Sequence, residues 1–155
     1  MTKFENAVTN TPDIACGYRK GIQAFGANSS YVQVDDTRKL EGSVDIDECT
    51  KDIYPNDSRW DYALGYDEKA YFIEVHPAST SDVTTVIAKA KWLNGWLKRN
   101  AKDLEALWGS DNLYWAASGK IKILPNRGNI ECLCKVKYCC VISLNFRQDR
   151  FKNMT

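Results

Sequence analysis

The stretch RWDYALGYDEKAYFIEVHPAS, residues 59 to 79, reads as two short strands joined by a turn, and everything else in the chain is placed around it. Trp60, Tyr62 and Leu64 oppose Asp61 and Ala63 on the first strand. On the second, Glu74 and His76 stand two residues apart and so share a face. The turn falls in GYDEK, residues 65 to 69, which has the glycine and aspartate that a hairpin uses. Pairing the two strands sets Asp61, Glu74 and His76 side by side at a sheet edge.

Two carboxylates that converge from adjacent strands repel each other unless one is protonated, one is salt-bridged, or a cation lies between them. A hard divalent ion suits such a pair. Mg²⁺ takes one or two carboxylates, keeps several waters, and leaves positions open for a phosphate oxygen. The plainer alternative is that Asp61 and Glu74 are solvent-facing residues of an ordinary hairpin.

The chain has 155 residues, of which 44% are hydrophobic, and five tryptophans, enough for one domain over 1–155 with a core from about residue 12 to 146. No run approaches the about 18 apolar residues of a membrane span, and MTKFENAVTN lacks the apolar stretch of a secretion signal. The expectation is a cytoplasmic protein with no membrane partner. Six cysteines in a chain of this size then read as reduced thiols. Cys16 and Cys49 read as core fillers. Cys132, Cys134, Cys139 and Cys140 match no common zinc spacing, and read as buried small hydrophobes or as a metal or redox site.

The net charge of +1 conceals an asymmetry: residues 1–84 hold 8 Lys and Arg against 15 Asp and Glu, and residues 85–155 hold 13 against 5. Such halves either pair with each other in the fold or separate a polyanion-binding face from a metal-binding one.

Outward from the hairpin, Thr11, Pro12 and the spacing of Ile14, Tyr18, Ile22 and Phe25 predict an amphipathic helix over 12–25. SVDIDE, residues 43 to 48, alternates as a strand with Asp45 and Asp47 on one face, either joining the acidic cluster or guarding an edge. CTKDIYPNDS, 49 to 58, has the composition of a loop. A long helix is predicted from about Asp82 to Arg99, capped by Ser79, Thr80 or Ser81, with Val83, Val86, Ile87, Ala90, Leu93 and Leu97 as its core stripe. Trp92 and Trp96 fall opposite that stripe, either packed beneath NAKDLEALWG (100–109) or forming a subunit interface or a base-stacking surface. Residues 112–124 read as one or two strands, 127–137 lean towards helix, and 138–146 alternate as a final strand.

The order helix, strand, strand bearing Asp, strand bearing Glu-x-His, long helix, strand resembles the PD-(D/E)xK, or restriction-endonuclease-like, superfamily over about residues 12–124. That resemblance implies an α/β fold: a single domain with a mixed central sheet flanked by helices, an acid on the second core strand and a (D/E)-x-K triplet on the third. It implies Asp61 and Glu74 as ligands of Mg²⁺ or Mn²⁺, with the carbonyl of Val75 as a further ligand. His76 stands where the family's lysine usually stands, and there the chain departs from the pattern. Histidine, with an ordinary pKa of about 6.5, is mostly neutral at pH 7. It either accepts a proton from the attacking water or marks a member that has lost catalysis.

Three functions are compatible with these residues. The first is a metal-dependent nuclease with Asp61, Glu74 and His76 as catalytic residues and Lys89, Lys91, Lys98, Arg99, Lys120 and Lys122 as nucleic-acid contacts. The second is a non-catalytic binding or assembly module on the same fold, including a homo-oligomer joined through Trp92 and Trp96. The third is a small inhibitory partner whose acidic first half mimics nucleic acid or blocks a basic toxin.

Overall fold

The computed structural model describes residues 1–108, 113–124 and 136–144. Along the chain come α1 (Lys3–Thr9), β1 (Val32–Val34), β2 (Leu40–Asp45), α2 (Ile46–Thr50), β3 (Tyr62–Tyr66), β4 (Lys69–His76), α3 (Asp82–Asn100), α4 (Lys102–Ala106), β5 (Leu113–Ala117), β6 (Val136–Cys139) and β7 (Ile142–Leu144). The fold is mixed α/β. Five strands form one sheet in the order β2-β3-β4-β5-β6, antiparallel from β2 to β4 and parallel from β4 to β6, while β1 and β7 pair in parallel as a separate ribbon.

The hairpin is there, with its turn tighter than the sequence suggested. β3 runs through Gly65 to Tyr66, and the two turn residues are Asp67 and Glu68, at φ 49° and 65°. Two successive left-handed residues suit the twist of a two-residue hairpin. Gly65 serves the core instead: a Cβ there would overlap the Phe4 ring of α1.

Period-two alternation divides the sheet into two covered faces. Tyr62, Leu64, Tyr66, Tyr71 and Ile73 pack with Phe25, Val32, Ile142 and Leu144 on one side. Ala63, Ala70, Phe72 and Trp115 pack under α1, α3 and α4 on the other. Trp60 joins this second cluster, against the strict alternation, because β3 begins at Tyr62 and Trp60 precedes it.

Several sequence expectations fail for local reasons. Residues 12–25 do not form a helix. The first helix is α1, where the Thr2 hydroxyl accepts from Glu5 N and Phe4, Ala7 and Val8 are buried, so the core begins well before residue 12. Beyond it, Gly21 and Gly26 each adopt φ 53°, which confines residues 15–31 to short 3₁₀ turns. SVDIDE is strand only as far as Asp45, whose carboxylate accepts from Glu48 N and starts α2. The closing alternation at 138–146 is split between β6 and β7, and Val136 and Lys137 are strand rather than helix. Cys132, Cys134 and most of 127–137 lie outside the described residues. Cys16 is exposed, not a core filler, and Cys49 is half-buried with its thiol pushed up to about 11 by burial.

The long helix α3 spans 82 to 100, one residue past its expected end at Arg99, and Val83, Val86, Leu93 and Leu97 are buried as its stripe predicts. Its cap differs: Ser81 makes no side-chain cap bond, and Asp82 Oδ2 instead accepts from both Ser79 N and Ser79 Oγ. Trp96, expected on the far face, is fully buried in the core, with Trp92 stacked on it at 5.6 Å and 9°. The 54–57 loop and Asp13 bond them, with Trp92 Nε1 donating to Asp57, Trp96 Nε1 donating to Asp13 and Tyr54 meeting Trp92 edge-on, and the core that Trp96 joins also holds Ala101 and Leu104 of the 100–109 segment. A buried, bonded Trp96 offers no surface to a second subunit or a base. Among the described residues, no helix is long and apolar enough to cross a membrane.

Candidate functional site

The site lies where β3 begins and β4 ends. Asp61 immediately precedes β3, its backbone carbonyl accepting from Ile46 N at 2.8 Å, so the start of α2 fixes its position. Glu74 lies inside β4, opposite Trp115 of β5, and points under α3. The two residues hold each other reciprocally. Asp61 N donates to Glu74 Oε1 at 3.1 Å, and Val75 N donates to Asp61 Oδ2 at 3.0 Å.

Each carboxylate is thus anchored by one oxygen and turns its other oxygen towards the same point. Lys89 of α3 occupies that point. Its Nζ donates to Glu74 Oε2 and lies 3.5 Å from Asp61 Oδ1. The Glu74 side chain has no exposed surface, and those of Lys89 and Asp61 are 17% and 20% exposed.

Electrostatics follow from that burial. Glu74 is pushed up to about 8, first by loss of water and then by the Asp61 charge, with Lys89 pulling it back. Asp61 is also raised by burial, opposed by Lys89 and the Val75 N–H. Burial pulls the Lys89 ammonium down, yet Glu74 and Asp61 outweigh it and leave the group above the ordinary lysine range. Two carboxylates and one ammonium sum to one negative charge in a poorly solvated place. The cluster therefore favours additional positive charge, whether a proton or a cation.

The sequence reading took Lys89 only as a nucleic-acid contact, whereas its side chain is mostly buried and engaged by Glu74 and Asp61. It lies three residues after Val86 and four before Leu93, inside the apolar stripe, and a lysine on a core face needs a buried acid. That spacing was the available signal.

His76 shares the face of Glu74 but no hydrogen bond or ion pair joins it to Asp61, Glu74 or Lys89. Its Nδ1 bonds the Pro77 carbonyl at 2.9 Å and lies 3.7 Å from Asp82, with the ring edge-on to Trp115. A carbonyl only accepts, so Nδ1 carries the hydrogen, and in that tautomer of the neutral ring Nε2 presents the lone pair. Asp45 and Asp47 stay at the margin. Asp45 caps α2 and is pushed up to about 6, chiefly by burial, with Asp47 and Asp61 adding to the rise; Asp47 pairs with Arg59 at 2.8 Å.

The remaining basic residues separate in space. Lys91, Lys98 and Arg99 are exposed on α3, and Lys91, two positions from the inward Lys89, is on the opposite side of the helix. Lys120 and Lys122 are exposed in the segment after β5.

Two carboxylate oxygens, one from each acid and each with its partner oxygen held by a backbone N–H, converge on the Lys89 ammonium. Val75 N–H faces Asp61, and the Val75 carbonyl leaves the strand on that same edge. The side-chain donors number two, and among the described residues no group of three or more His, Cys, Asp and Glu gathers to hold a metal. No family model, curated protein or solved structure matches the chain.

Proposed function

We propose that this protein is a divalent-metal-dependent nuclease of the restriction-endonuclease-like kind, in which Lys89 of α3 takes the part that a lysine on the third strand usually takes. The observation that carries the reading is the convergence of Asp61, Glu74 and Lys89. Topology supports it too. A meander β2-β3-β4 has the acid at the entry to its second strand and Glu-x-His on its third, and a long helix leads to β5, parallel to β4.

In this reading Asp61 Oδ1, Glu74 Oε2 and the Val75 carbonyl would hold Mg²⁺ or Mn²⁺, the ion taking the place at the two carboxylate oxygens that the Lys89 ammonium fills here and moving Lys89 aside. Bound there, the ion supplies Lewis-acid stabilisation of the charge that develops on a phosphodiester. Lys89 adds a fixed positive charge beside the same phosphate. His76, with Nε2 free to accept, takes a proton from the attacking water. The walls of β3, β4 and α3 exclude bulk water and strengthen each of these interactions.

A second reading has one observation in its favour. Every oxygen of Asp61 and Glu74 already has a partner, as a purely structural ion cluster in a non-catalytic binding module would require. Cleavage of single- and double-stranded DNA and RNA, assayed with Mg²⁺, Mn²⁺ and chelator, separates the two. Metal-dependent cleavage that vanishes in Asp61→Ala and Glu74→Ala supports the nuclease. No cleavage of any of these by the wild type, with both metals tried, sinks it.

A further inference from the structure

Beside the carboxylate cluster, the loop from β4 to α3 and the segment after β5 enclose a cleft of about 350 Å³, lined by residues 77–79, Asp82, 118–120 and Lys122. Its walls are laced together by hydrogen bonds from main-chain N–H groups. Ser118 N donates to His76 O, Lys122 N donates to Ala78 O, and Leu124 N donates to the Thr80 hydroxyl. A cleft held this way is formed before any ligand arrives. Gly119, at φ 128° with open space where a side chain would be, leaves its mouth clear.

The charge inside is uneven. The Asp82 carboxylate accepts from Ser79 N and Ser79 Oγ and lies 3.7 Å from His76 Nδ1, and it sets one negative charge against two lysines. Lys120 and Lys122 form no ion pair among the described residues, and both ammonium groups are exposed. His76, whose Nδ1 bonds the carbonyl of the wall residue Pro77, lies between this cleft and Glu74, about 7 Å along β4 from the carboxylate.

We infer that this cleft holds a phosphate of a single nucleic-acid strand next to the one presented to Asp61, Glu74 and Lys89, with Lys120 and Lys122 as its counter-charges. The inference rests on the nuclease reading for what happens at the cluster, but not for the binding itself. A volume of this size has room for one whole nucleotide unit, which a strand can insert only where its base is unpaired. The cleft therefore favours single-stranded substrates or the unpaired ends of duplexes.

The experiment measures anisotropy of a fluorescein-labelled oligothymidylate and of a labelled duplex with the wild-type chain in chelator, across a salt series, alongside cleavage with Mn²⁺. Lys120→Glu/Lys122→Glu is compared with Lys120→Gln/Lys122→Gln, and with Lys39→Ala/Lys69→Ala at the opposite, turn end of the hairpin as a control. Circular dichroism establishes that each variant is folded. The expected result is preference for the single strand, at least tenfold weaker binding in the charge-reversed variant, and a salt slope reduced by about 0.7 per lysine in the glutamine variant.

Binding and salt slope unchanged in both cleft variants, equal loss in the control, or tighter binding of the duplex would each overturn the cleft assignment, as would no binding by the wild type. Cleavage that persists alongside any of these leaves the nuclease reading standing without the cleft. Lysine-dependent binding with no cleavage under any metal leaves the cleft standing without the nuclease.

Discussion

Lys89 of α3 donates to the Glu74 carboxylate across a separation of fifteen residues, and so joins the longest helix to a central strand by a buried ion pair. The pair fixes the rotation of α3 over the sheet, because the residue that reaches Glu74 must share the helix face of Val86 and Leu93.

Lys89→Met is expected to destabilise the protein by about 3 kcal/mol, since it strands a carboxylate with no exposed surface beside a second one. Combining it with Glu74→Gln should cost less than the sum of the two single changes, with a coupling of about 1–3 kcal/mol in urea unfolding. Strict additivity would mean that the two side chains do not depend on each other.

The pH dependence of stability carries a sign that can be worked out from Glu74. Its folded value of about 8 lies above the ordinary 4.5, so between these the folded chain binds more protons than the unfolded one. The contribution is fully present below about pH 4.5 and is lost as pH rises towards 8. Thermal unfolding at closely spaced pH values should show that decline, and Glu74→Gln should flatten it. Asp45, pushed up to about 6, adds a smaller decline at the acidic end that Asp45→Asn removes.

If the cluster is catalytic, Lys89→Ala should lower metal-dependent cleavage by about 10²–10³-fold, the scale of removing one charge-stabilising donor. His76→Lys should not raise it, because the site already holds its cation. His76→Ala should lower it by about 10²-fold or more. A large gain from His76→Lys would point back to the strand position as the lysine's place.

Gly65→Ala tests the fold away from the site. The new Cβ would overlap the Phe4 ring, and α1 cannot withdraw without exposing Phe4 and Val8. A loss of about 1–3 kcal/mol in unfolding free energy is expected. A neutral change would show that α1 is free to shift on the sheet.

The sequence by itself determined the hairpin, the span of α3 and the approach of Asp61 to Glu74, because alternation and helical spacing are local properties that survive any packing. It also determined that two converging acids needed a positive charge. Tertiary structure alone decided which charge that was. Lys89 reaches Glu74 only once α3 is laid across β4, and His76, closer in sequence, is instead drawn to Pro77 and Asp82 by the turn that follows it. The early helix was misplaced for the complementary reason. The apolar spacing over 12–25 looked helical, but the left-handed Gly21 and Gly26 broke it, and the position under the sheet went to Phe4, which fits only where Gly65 leaves room.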